Sequence, residues 1–574
     1  MRRKRSFTWI SLLLTLCLAA SFTVGQPKRP DFNRPQTFDA QNYTIRVSFD
    51  KAKKKVYGDT TVSLKPLRDG FSTVELDAVD LAFESVKLDP SGQDLQYKTL
   101  PGKVVIALDR RYGIDELISI RLKYTATPKK GVYFRDADET HSDQIWSQGE
   151  ADEARSWFPS FDFPSDKATT EEYITAQKGE TVVGNGELIG TAENADGTVI
   201  WHYKMPVPHS TYLVSFVVGR YTRLEGKYKN TPLGFYVYPG KEATGKKAFS
   251  DTSKMIAVYE ELTGVPFPYN KYDQTVVSQF QFGGMENITA TTMNDQEIFF
   301  AEFDFGKGIV TDLVSHELAH SWFGDLVTCR NWAELWLNEG FATYMEAAYR
   351  EKAYGREDYI RKIKSDALEF LIDDTTNRKR HPLYDLRAGV MSELFDNPNT
   401  TYHKGGAVLH TLREQVGTEA FWKAVNIYLN RNKFGNVEST DLRKAMEETS
   451  GQDLGWFFDQ WVYSGGAPHL DIRQLYNPAS KTLTLTVSQM QVPDAITPGA
   501  FRLPLDISIK TSAGQRREKI EVTKRIQTFV FKSTAKPATL TIDPDEKIPL
   551  KKVKIRPLPG QQKEPLIAQR PFSL

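Results

Sequence analysis

The sequence predicts a multidomain α+β protein in which two β-rich parts flank a largely helical one. From about residue 37 to 222, apolar and polar side chains alternate, as in YTIRVSF, with the period of two that is typical of half-buried strands. From about 223 to 467, a β-rich opening gives way to long segments in which apolar residues recur at helical spacing, which indicates amphipathic helices. Alternation returns after about residue 468, as in LTLTV, and predicts a second, smaller β domain.

These changes divide the chain of 574 residues into six segments, and a chain of this length can bury several cores. The segments are a signal peptide at 1–25, a Pro-rich linker at 26–36, an N-terminal antiparallel β domain at 37–222, a central α/β domain at 223–467, a C-terminal β sandwich at 468–555 and a loosely held tail at 556–574.

The first 25 residues have the pattern of a secretory leader. Basic residues come first, an apolar run from Phe7 to Ala20 follows, and small residues end the segment. The apolar run is short for a membrane span. We therefore expect an exported protein, periplasmic or secreted, with no stable membrane span once the signal is cleaved. An uncleaved segment that serves as an anchor is the alternative.

Charge and cysteine content limit the kinds of partner and the sources of stability that the protein can have. The net charge is +1 and acidic and basic residues are interleaved, which argues against nucleic acid as a partner. The two cysteines are Cys17 and Cys329. Removal of the signal leaves Cys329 alone, so stability must come from core size rather than from an intrachain disulfide. Composition leaves the oligomeric state open.

The strongest chemical signal is HELAH at 316–320. Apolar residues before it recur at helical spacing, so the motif lies on a helix and its spacing of four places His316 and His320 one turn apart on one face. Two such imidazoles can chelate one Zn²⁺, and Glu317 beside them can activate a zinc-bound water as general base. The motif is short and also arises by chance, so alone it leaves the function open.

A second apolar helix, predicted near 334–352, supplies a third ligand candidate. Glu339 lies on it, and a carboxylate on a buried face needs a partner. Two histidines and one glutamate with an open fourth position are typical of a catalytic rather than a structural zinc site. Asp325, near the end of the first helix, is a candidate to hold a ligand histidine, and a plain solvated aspartate is the alternative.

The stretch VVSQFQFGGMEN at 276–287 predicts a strand that ends in two glycines. Apolar and polar residues alternate from Val276 to Phe282. Gly283 and Gly284, which carry no Cβ atom, would let another backbone approach closely. Glu286 then follows, either in a plain turn or as a binding group.

These motifs, together with TYHKGGAVL at 401–409, resemble the gluzincin aminopeptidases of the aminopeptidase N and leukotriene hydrolase type. The resemblance covers nearly the whole chain after the leader. It implies a thermolysin-like catalytic domain at 223–467 and a zinc metallo-aminopeptidase that removes N-terminal residues from peptides with a free N-terminus. It also implies one Zn²⁺ held by three ligands, with Glu317 as the general base. The ligands are His316, His320 and Glu339.

The resemblance assigns roles to further residues. Glu286 matches the glutamate that binds the substrate's α-amino group, and Tyr402 matches the tyrosine that stabilises the oxyanion. Lys404 matches the lysine of the same motif. The segment 146–164 is similar to one that lines the first pocket. The expected substrate-binding residues are Gln148, Glu150, Gly283, Gly284, Met285, Glu286 and Asn287.

Alternatives and departures remain. A thermolysin-type endopeptidase and a non-catalytic scaffold that kept the fold are the competing functions, with an epoxide hydrolase further behind. Tyr402 can be an ordinary helix-end aromatic, Glu150 a surface carboxylate, and His403 and His410 surface or core histidines.

Many members of the family have a large C-terminal helical domain, whereas the pattern of the residues after 467 predicts strands. We therefore expect no such domain, and a cleft that is more open or is closed by another subunit. We also expect a broad neutral or apolar preference for the first residue.

Overall fold

The computed structural model describes residues 29–376 and 379–557. The predicted signal peptide at 1–25 lies outside the described residues, as do the first part of the linker and most of the tail. The predicted fold class is confirmed, with a β domain, a central α/β domain and a second β domain in that order. Among the described residues after 467 there is no helix. None of the helices in the part of the chain that the structure describes has the length and apolarity of a membrane span.

The first β domain forms three sheets. Its strands are β1 (Phe38–Asp50), β2 (Lys55–Pro66), β3 (Phe71–Asp77), β4 (Leu81–Asp89), β5 (Gln96–Leu100), β6 (Lys103–Tyr112), β7 (Ile118–Ala126), β8 (Val132–Arg135), β9 (Gln144–Ser147), β10 (Ala168–Gln177), β11 (Thr181–Gly184), β12 (Glu187–Glu193), β13 (Thr198–His209) and β14 (Phe216–Gly219). The sheet orders are β12-β13-β10-β1-β2-β7-β4, β11-β14-β9-β8 and β3-β6-β5. The pairing is antiparallel except between β1 and β10, which run parallel.

Alternation in the sequence explains how these sheets form a core. Tyr43, Ile45 and Val47 are the buried residues of the YTIRV stretch in β1. They belong to one hydrophobic cluster with Val62 of β2 and Trp157. Because successive side chains of a strand point to opposite faces, every second residue meets this core.

The central domain combines a five-stranded and a two-stranded sheet with ten α-helices among its described residues. Its strands are β15 (Thr222–Tyr228), β16 (Thr231–Val237), β17 (Tyr272–Val277), β18 (Gly284–Met285), β19 (Ala290–Asn294), β20 (Val327–Cys329) and β21 (Gly435–Val437). Its α-helices are α1 (Glu242–Ala248), α2 (Thr252–Thr263), α3 (Asp295–Ile298), α4 (Lys307–Ala319), α5 (Trp336–Tyr354), α6 (Arg356–Thr376), α7 (Gly405–Val416), α8 (Thr418–Asn432), α9 (Ser439–Ser450) and α10 (Gly455–Trp461). A π-helical turn spans Thr400–Lys404, and 3-10 turns span Phe299–Glu302, Asp304–Gly306, Trp332–Glu334 and Met391–Glu393. Two further 3-10 turns, Ala154–Ser156 and Thr211–Leu213, belong to the first β domain.

The five-stranded sheet has the order β15-β16-β17-β19-β18. Strands β16, β17 and β19 run parallel, and β18 pairs antiparallel with β19 at the end of the sheet. The edge of β18 away from β19 is therefore unpaired among the described residues. Gly284 of β18 lies against Glu317 of the HELAH motif on α4.

The strand predicted from Val276 to Phe282 is wrong. Strand β17 ends at Val277, and Gln279 adopts a positive φ of 56° that breaks the pleat. The side chain of Asn294 then donates to the carbonyl oxygens of Phe280 and Phe282, at 3.1 and 3.0 Å. These bonds satisfy the backbone without a neighbouring strand, because a buried carbonyl needs some partner but not a particular one.

Helix α5 is the centre of the central domain. Every residue from Trp336 to Tyr349 is buried, which accounts for its apolar sequence on all faces. The hydroxyl of Tyr259 on α2 donates to the carbonyl oxygens of Ser315 on α4 and Met345 on α5, at 2.8 and 3.2 Å. This side chain ties α2, α4 and α5 together, and α4 and α5 carry the predicted site.

The C-terminal domain consists of two sheets. Its strands are β22 (His469–Asn477), β23 (Thr482–Gln489), β24 (Leu503–Thr511), β25 (Gly514–Val522), β26 (Ile526–Lys532), β27 (Thr539–Ile542) and β28 (Lys552–Pro557). The sheet orders are β26-β23-β22-β28 and β25-β24-β27. Both sheets share one hydrophobic cluster with the central domain, and the rings of Trp461 and Phe501 lie 5.6 Å apart where the two domains meet.

Candidate active site

Two histidines at the end of α4 converge on a carboxylate of α5. His316 Nε2 lies 3.2 Å from Glu339 Oε2, and His320 Nε2 lies 3.4 Å from the same oxygen. One ligand atom of each residue lies within 4.8 Å of the other two. Two imidazole nitrogens and a carboxylate oxygen at this separation suit a single zinc ion and leave a further coordination position open. The side chains therefore fit the metal that the sequence predicts.

Each histidine is oriented by an acceptor on its Nδ1 side. His316 Nδ1 lies 2.7 Å from Glu346 Oε1, and His320 Nδ1 lies 2.9 Å from the carbonyl oxygen of Phe323. A carboxylate or carbonyl oxygen only accepts, so the neutral imidazoles carry their hydrogen on Nδ1. The Nε2 lone pairs are thereby directed to the metal position.

The expectation that Asp325 holds a ligand histidine is wrong. The backbone carbonyl of Phe323 occupies the Nδ1 side of His320, and Glu346 occupies that of His316. Asp325 is nevertheless buried. Its backbone carbonyl accepts a hydrogen bond from Lys167 Nζ at 3.1 Å, and burial raises the pKa of its carboxyl group well above the usual value.

In this site, neighbouring groups of opposite charge shift the pKa values of Glu339 and His316 in the direction opposite to the shift caused by burial. Burial raises the pKa of Glu339, but His320 and His316 outweigh it and hold the pKa at about 2. Burial lowers the pKa of His316, but contacts with Glu339 and Glu346 raise it to about 9. A metal ligand must be a neutral imidazole, so metal binding displaces protons here and metal affinity should increase with pH.

Glu317 on α4 packs against the backbone of Gly284 in β18. A Cβ atom at Gly284 would lie 2.3 Å from Glu317 Oε1 and 2.4 Å from its Cδ, so a side chain at this position would displace the Glu317 carboxylate. Glu317 Oε2 is buried and has no hydrogen-bond partner among the described residues. Burial raises the pKa of Glu317 to about 8, even though His316 and His320 lower it. A carboxyl group in this range can take and return a proton near neutral pH.

Two glycines set the position of Tyr402. Gly340 follows Glu339 in α5, and a Cβ atom on Gly405 at the start of α7 would lie 2.6 Å from Gly340 Cα. The missing side chains let the two helices meet backbone to backbone. The π-helical turn before α7 carries Tyr402, whose ring lies 5.9 Å from that of His316 with planes 14° apart. Burial and the nearby Glu339 raise the pKa of Tyr402, so its hydroxyl keeps its hydrogen.

Two further carboxylates lie next to the metal position. Glu150, Glu286 and Glu339 each place a carboxylate oxygen within 4.8 Å of the other two, and Glu286 Oε1 lies 3.9 Å from His320 Nδ1. Glu150 and Glu286 are buried, and each has an Oε1 atom without a hydrogen-bond partner among the described residues. Burial raises the pKa of both carboxyl groups.

Glu150 and its neighbour Gln148 come from the first β domain. Gly149 between them has no room for a side chain, since a Cβ atom would lie 2.2 Å from the carbonyl oxygen of Tyr212. Gln148 is buried and neither amide atom has a partner among the described residues. Asn338 on α5 donates to the hydroxyl of Tyr212 at 3.2 Å, which connects this segment to the helix that carries Glu339.

These side chains open on one cavity of about 670 Å³. The predicted residues that line it are Glu150, Gly283, Gly284, Glu286, His316, Glu317, His320, Glu339 and Tyr402. Three predicted substrate-binding residues do not. Gln148 is buried but is not among the lining residues, Met285 belongs to the hydrophobic core, and Asn287 donates to Thr292 Oγ1 at 3.0 Å. Their roles in binding stay predictions.

Lys404 also points away from the cavity. Its ammonium group donates to the carbonyl oxygen of Ser464 at 2.9 Å and is fully buried. Burial lowers its pKa to about 8. The lysine therefore anchors the turn that carries Tyr402 to the segment after α10.

Sequence reasoning missed several residues of this cavity. Glu346 lies seven positions after Glu339, and two helical turns place both on one face of α5, so that spacing was a usable signal. His403, which the sequence suggested to be a surface or core residue, lines the cavity. The others come from several parts of the chain, α3 and α4 included. They are Phe282, Glu297, Ile309, Asp312, Leu313, Thr343, Phe395, Pro398 and Asn399.

The fold and the donor set define a protein of the HExxH metal-site class, in which two histidines of one helix and a glutamate of the next surround one metal position. Residues 39–213 match the Peptidase M1 N-terminal domain, residues 247–461 match the Peptidase family M1 domain, and residues 466–545 match a domain of unknown function (DUF3458) with an Ig-like fold. The chain belongs to peptidase family M1.

Several relatives are aminopeptidases by name. The chain is 29% identical over 448 residues to probable aminopeptidase 1 of Saccharolobus solfataricus, covering 77% of this chain and 55% of the relative. It is 35% identical over 336 residues to aminopeptidase N of Streptomyces lividans, covering 56% and 38%. It is 27% identical over 503 residues to tricorn protease-interacting factor F2 of Thermoplasma acidophilum, covering 85% and 60%. The chain thus spans about half the length of these relatives.

Proposed function

We propose that the protein is a zinc-dependent aminopeptidase that hydrolyses N-terminal residues from peptides. The observation that carries the proposal is the pair of buried carboxylates, Glu150 and Glu286, beside the three metal-ligand candidates. A buried carboxylate without a cation is costly. An α-ammonium group would relieve that cost, and only the beginning of a peptide chain carries one. The names of the relatives support the same activity.

The unpaired edge of β18 offers a place for the substrate backbone. An extended peptide can add to an open sheet edge through main-chain hydrogen bonds. With its amine at Glu286, such a peptide would pass Gly284 and bring its first peptide bond to Glu317. The cavity of about 670 Å³ has room for a few residues of an extended chain.

The side chains around the metal position have separate roles in the proposed hydrolysis. Zinc, when held by His316, His320 and Glu339, supplies a Lewis acid that lowers the pKa of water and polarises the peptide carbonyl. Glu317 takes a proton from the attacking water and passes it to the leaving amine. The hydroxyl of Tyr402 donates a hydrogen bond to the oxyanion that develops on the carbonyl oxygen.

We further propose that the enzyme works outside the cytoplasm, where the leader pattern at residues 1–25 would direct it. Peptide hydrolysis needs no nucleotide, so the activity suits such a compartment. Detection of the processed protein in the periplasm or the medium, with a mature N-terminus between residues 20 and 27, tests this point. A chain that starts at Met1 in a membrane fraction would contradict it.

Blocking the substrate amine tests the proposed activity. A tripeptide with a free N-terminus should be hydrolysed from that end, whereas its N-acetyl derivative should not. Glu286→Gln should weaken hydrolysis of the free peptide, and Glu302→Gln, which changes a carboxylate that binds Lys241 outside the cavity, serves as the matched control. Equal rates on free and acetylated peptides would indicate an endopeptidase. Zinc binding without hydrolysis of any peptide would indicate a scaffold.

A further inference from the structure

The cavity contains one carboxylate to which the proposed reaction assigns no role. Seven acidic side chains line it, and no lysine or arginine is among its described lining residues. Glu150 and Glu286 face the amine position, Glu317 and Glu339 lie at the metal position, Glu346 binds Lys362, and Asp312 binds Arg350. Glu297 of α3 is the seventh.

Glu297 has no partner among the described residues. No ion pair or side-chain hydrogen bond joins its carboxylate to another group in the described ranges, 29–376 and 379–557. The side chain is half-buried, and burial raises its pKa. A carboxylate that is partly removed from water and has no counter-charge is destabilised, and a cation placed beside it would offset that cost.

The backbone around Gly283 places Glu297 relative to the other carboxylates. A Cβ atom at Gly283 would lie 3.3 Å from both oxygens of Glu297 and 3.0 Å from Leu313 Cδ1 on α4. The next residue, Gly284, packs in the same way against Glu317. The residue two positions further, Glu286, reaches His320. Leu313 and Glu317 follow one another along α4, and His320 comes directly after its last residue.

The segment 283–286 and helix α4 therefore set the order of three carboxylates along the cavity. Glu286 lies at one end, Glu317 lies in the middle, and Glu297 lies at the other end. A strand advances about 3.3 Å per residue, so one residue of substrate spans roughly the step between neighbouring residues of β18. If the amine lies at Glu286 and the first peptide bond at Glu317, the residue after that bond lies beside Gly283 and Glu297.

We propose that Glu297 is a specificity-determining residue that favours a lysine or arginine side chain at the second position of the peptide. This proposal rests on the proposed aminopeptidase function and adds to it a substrate class. Phe282, Ile309 and Phe395 also line the cavity, and the ring of Phe282, next to Gly283 in the chain, lies 5.7 Å from that of Phe395. Their apolar surfaces suit the aliphatic stem of a long basic side chain, while its charged end reaches the carboxylate.

Three peptides that differ only in the second residue test the proposal. Leu-Lys-Gly, Leu-Gln-Gly and Leu-Glu-Gly share the first residue, so differences in kcat/KM report the second. The wild type should prefer lysine over glutamine by about five- to tenfold, the range expected for a partly desolvated charge pair. Glu297→Gln should bring that ratio close to one, and Glu297→Lys should favour the glutamate peptide. Glu297→Asp should keep the order of the wild type.

Controls separate this proposal from the one on which it rests. Glu302→Gln removes an acidic charge outside the cavity and should leave the ratio unchanged. Hydrolysis of leucine p-nitroanilide, which has no second residue, tests the aminopeptidase function alone. Calorimetric binding of the three peptides to Glu317→Gln, with and without Glu297→Gln, gives the same ratio without hydrolysis. Equal ratios for wild type and Glu297→Gln, in kcat/KM or in binding, would overturn the role of Glu297.

Discussion

The imidazole of His316 and the carboxylate of Glu346 form a hydrogen-bonded pair, with Nδ1 2.7 Å from Oε1. The second oxygen of Glu346 lies 2.7 Å from Lys362 Nζ, which also lies 2.7 Å from Asp366 Oδ1. Burial raises the pKa of Glu346, but Lys362 and His316 lower it to about 2. Glu346 therefore stays ionised and holds the ring of His316 with Nε2 directed to the metal position.

Replacement of Glu346 should weaken metal binding without removing a ligand. Glu346→Gln keeps the shape but loses the charge that orients His316, and such changes typically lower metal affinity by about 10- to 100-fold. Competition with a chromophoric chelator measures the affinity. Glu357→Gln on α6, at an exposed position, should leave it unchanged. Equal affinities for wild type and Glu346→Gln would show that the pair has no such role.

Replacement of Glu317 should separate metal binding from turnover. Glu317→Gln removes the proposed proton acceptor but none of the three ligand candidates, so kcat should fall by about 100- to 10,000-fold. The zinc content, measured by atomic absorption, should match that of the wild type. A variant that retains zinc and hydrolyses peptides at the normal rate would exclude Glu317 as the general base.

Replacement of Tyr402 should affect the chemical step more than substrate binding. Tyr402→Phe keeps the ring against His316 but lacks the hydroxyl donor, so kcat should fall by about 100- to 1,000-fold. KM should change little, because the hydrogen bond forms mainly as charge develops on the oxygen. A variant with an increased KM and an unchanged kcat would assign Tyr402 to ground-state binding instead.

The contact between Gly340 and Gly405 should tolerate no side chain. Gly405→Ala places a Cβ atom 2.6 Å from Gly340 Cα, so α5 and α7 must separate, at a cost of about 1–3 kcal/mol of stability. Activity should fall as well, since α7 follows the turn that carries Tyr402. Thermal unfolding and kcat/KM measure the two effects. Gly190→Ala, where a Cβ atom meets nothing within 4 Å, should change neither.

A buried carboxyl group in the first β domain should make stability depend on pH. Glu172 in β10 accepts a hydrogen bond from the backbone N–H of Asn185 at 2.9 Å, and its other oxygen has no partner among the described residues. Burial raises its pKa from 4.5 to about 8. Between these values the unfolded chain binds fewer protons than the folded protein, so the free energy of unfolding falls as the pH rises.

Glu172→Gln should remove that loss. Its amide oxygen can still accept from Asn185, and the variant should gain stability relative to the wild type as the pH rises from about 5 to 8. Urea unfolding at several pH values measures the difference. The exposed Glu187→Gln should follow the wild type throughout. A difference between Glu172→Gln and wild type that stays constant with pH would contradict the raised pKa.

The metal-ligand candidates could be found from the sequence because helix geometry is local. A spacing of four sets His316 and His320 on one face wherever the helix lies, and a buried glutamate such as Glu339 on an apolar helix needs a partner. The same reasoning, extended by two turns, would have reached Glu346. The three-part division of the fold was equally accessible, since the periods of strands and helices differ along the chain.

Other contacts could not be found because they join residues that are distant in sequence. The alternation from Val276 to Phe282 predicted a strand, but Gln279 turns the backbone and Asn294 satisfies the freed carbonyl groups. The parallel pairing of β1 with β10 cannot be predicted from the alternation of apolar and polar residues within either strand. The acceptor for His320 is a backbone carbonyl, which every residue carries and no motif reveals.

The sequence by itself determined which side chains are the candidates for metal binding and proton transfer. The pattern along one helix specifies two imidazoles and a neighbouring carboxylate, because hydrogen bonding within a helix sets those positions. The apolar pattern of a second helix marks Glu339 as the third ligand candidate, because a buried carboxylate needs a partner. The tertiary structure alone decided where the carboxylates lie relative to that chemistry. Glu286, Glu317 and Glu297 come from three elements, and the close packing of Gly283 and Gly284 against α3 and α4 sets their order along the cavity. Packing between elements depends on shapes that are complete only when the chain has folded.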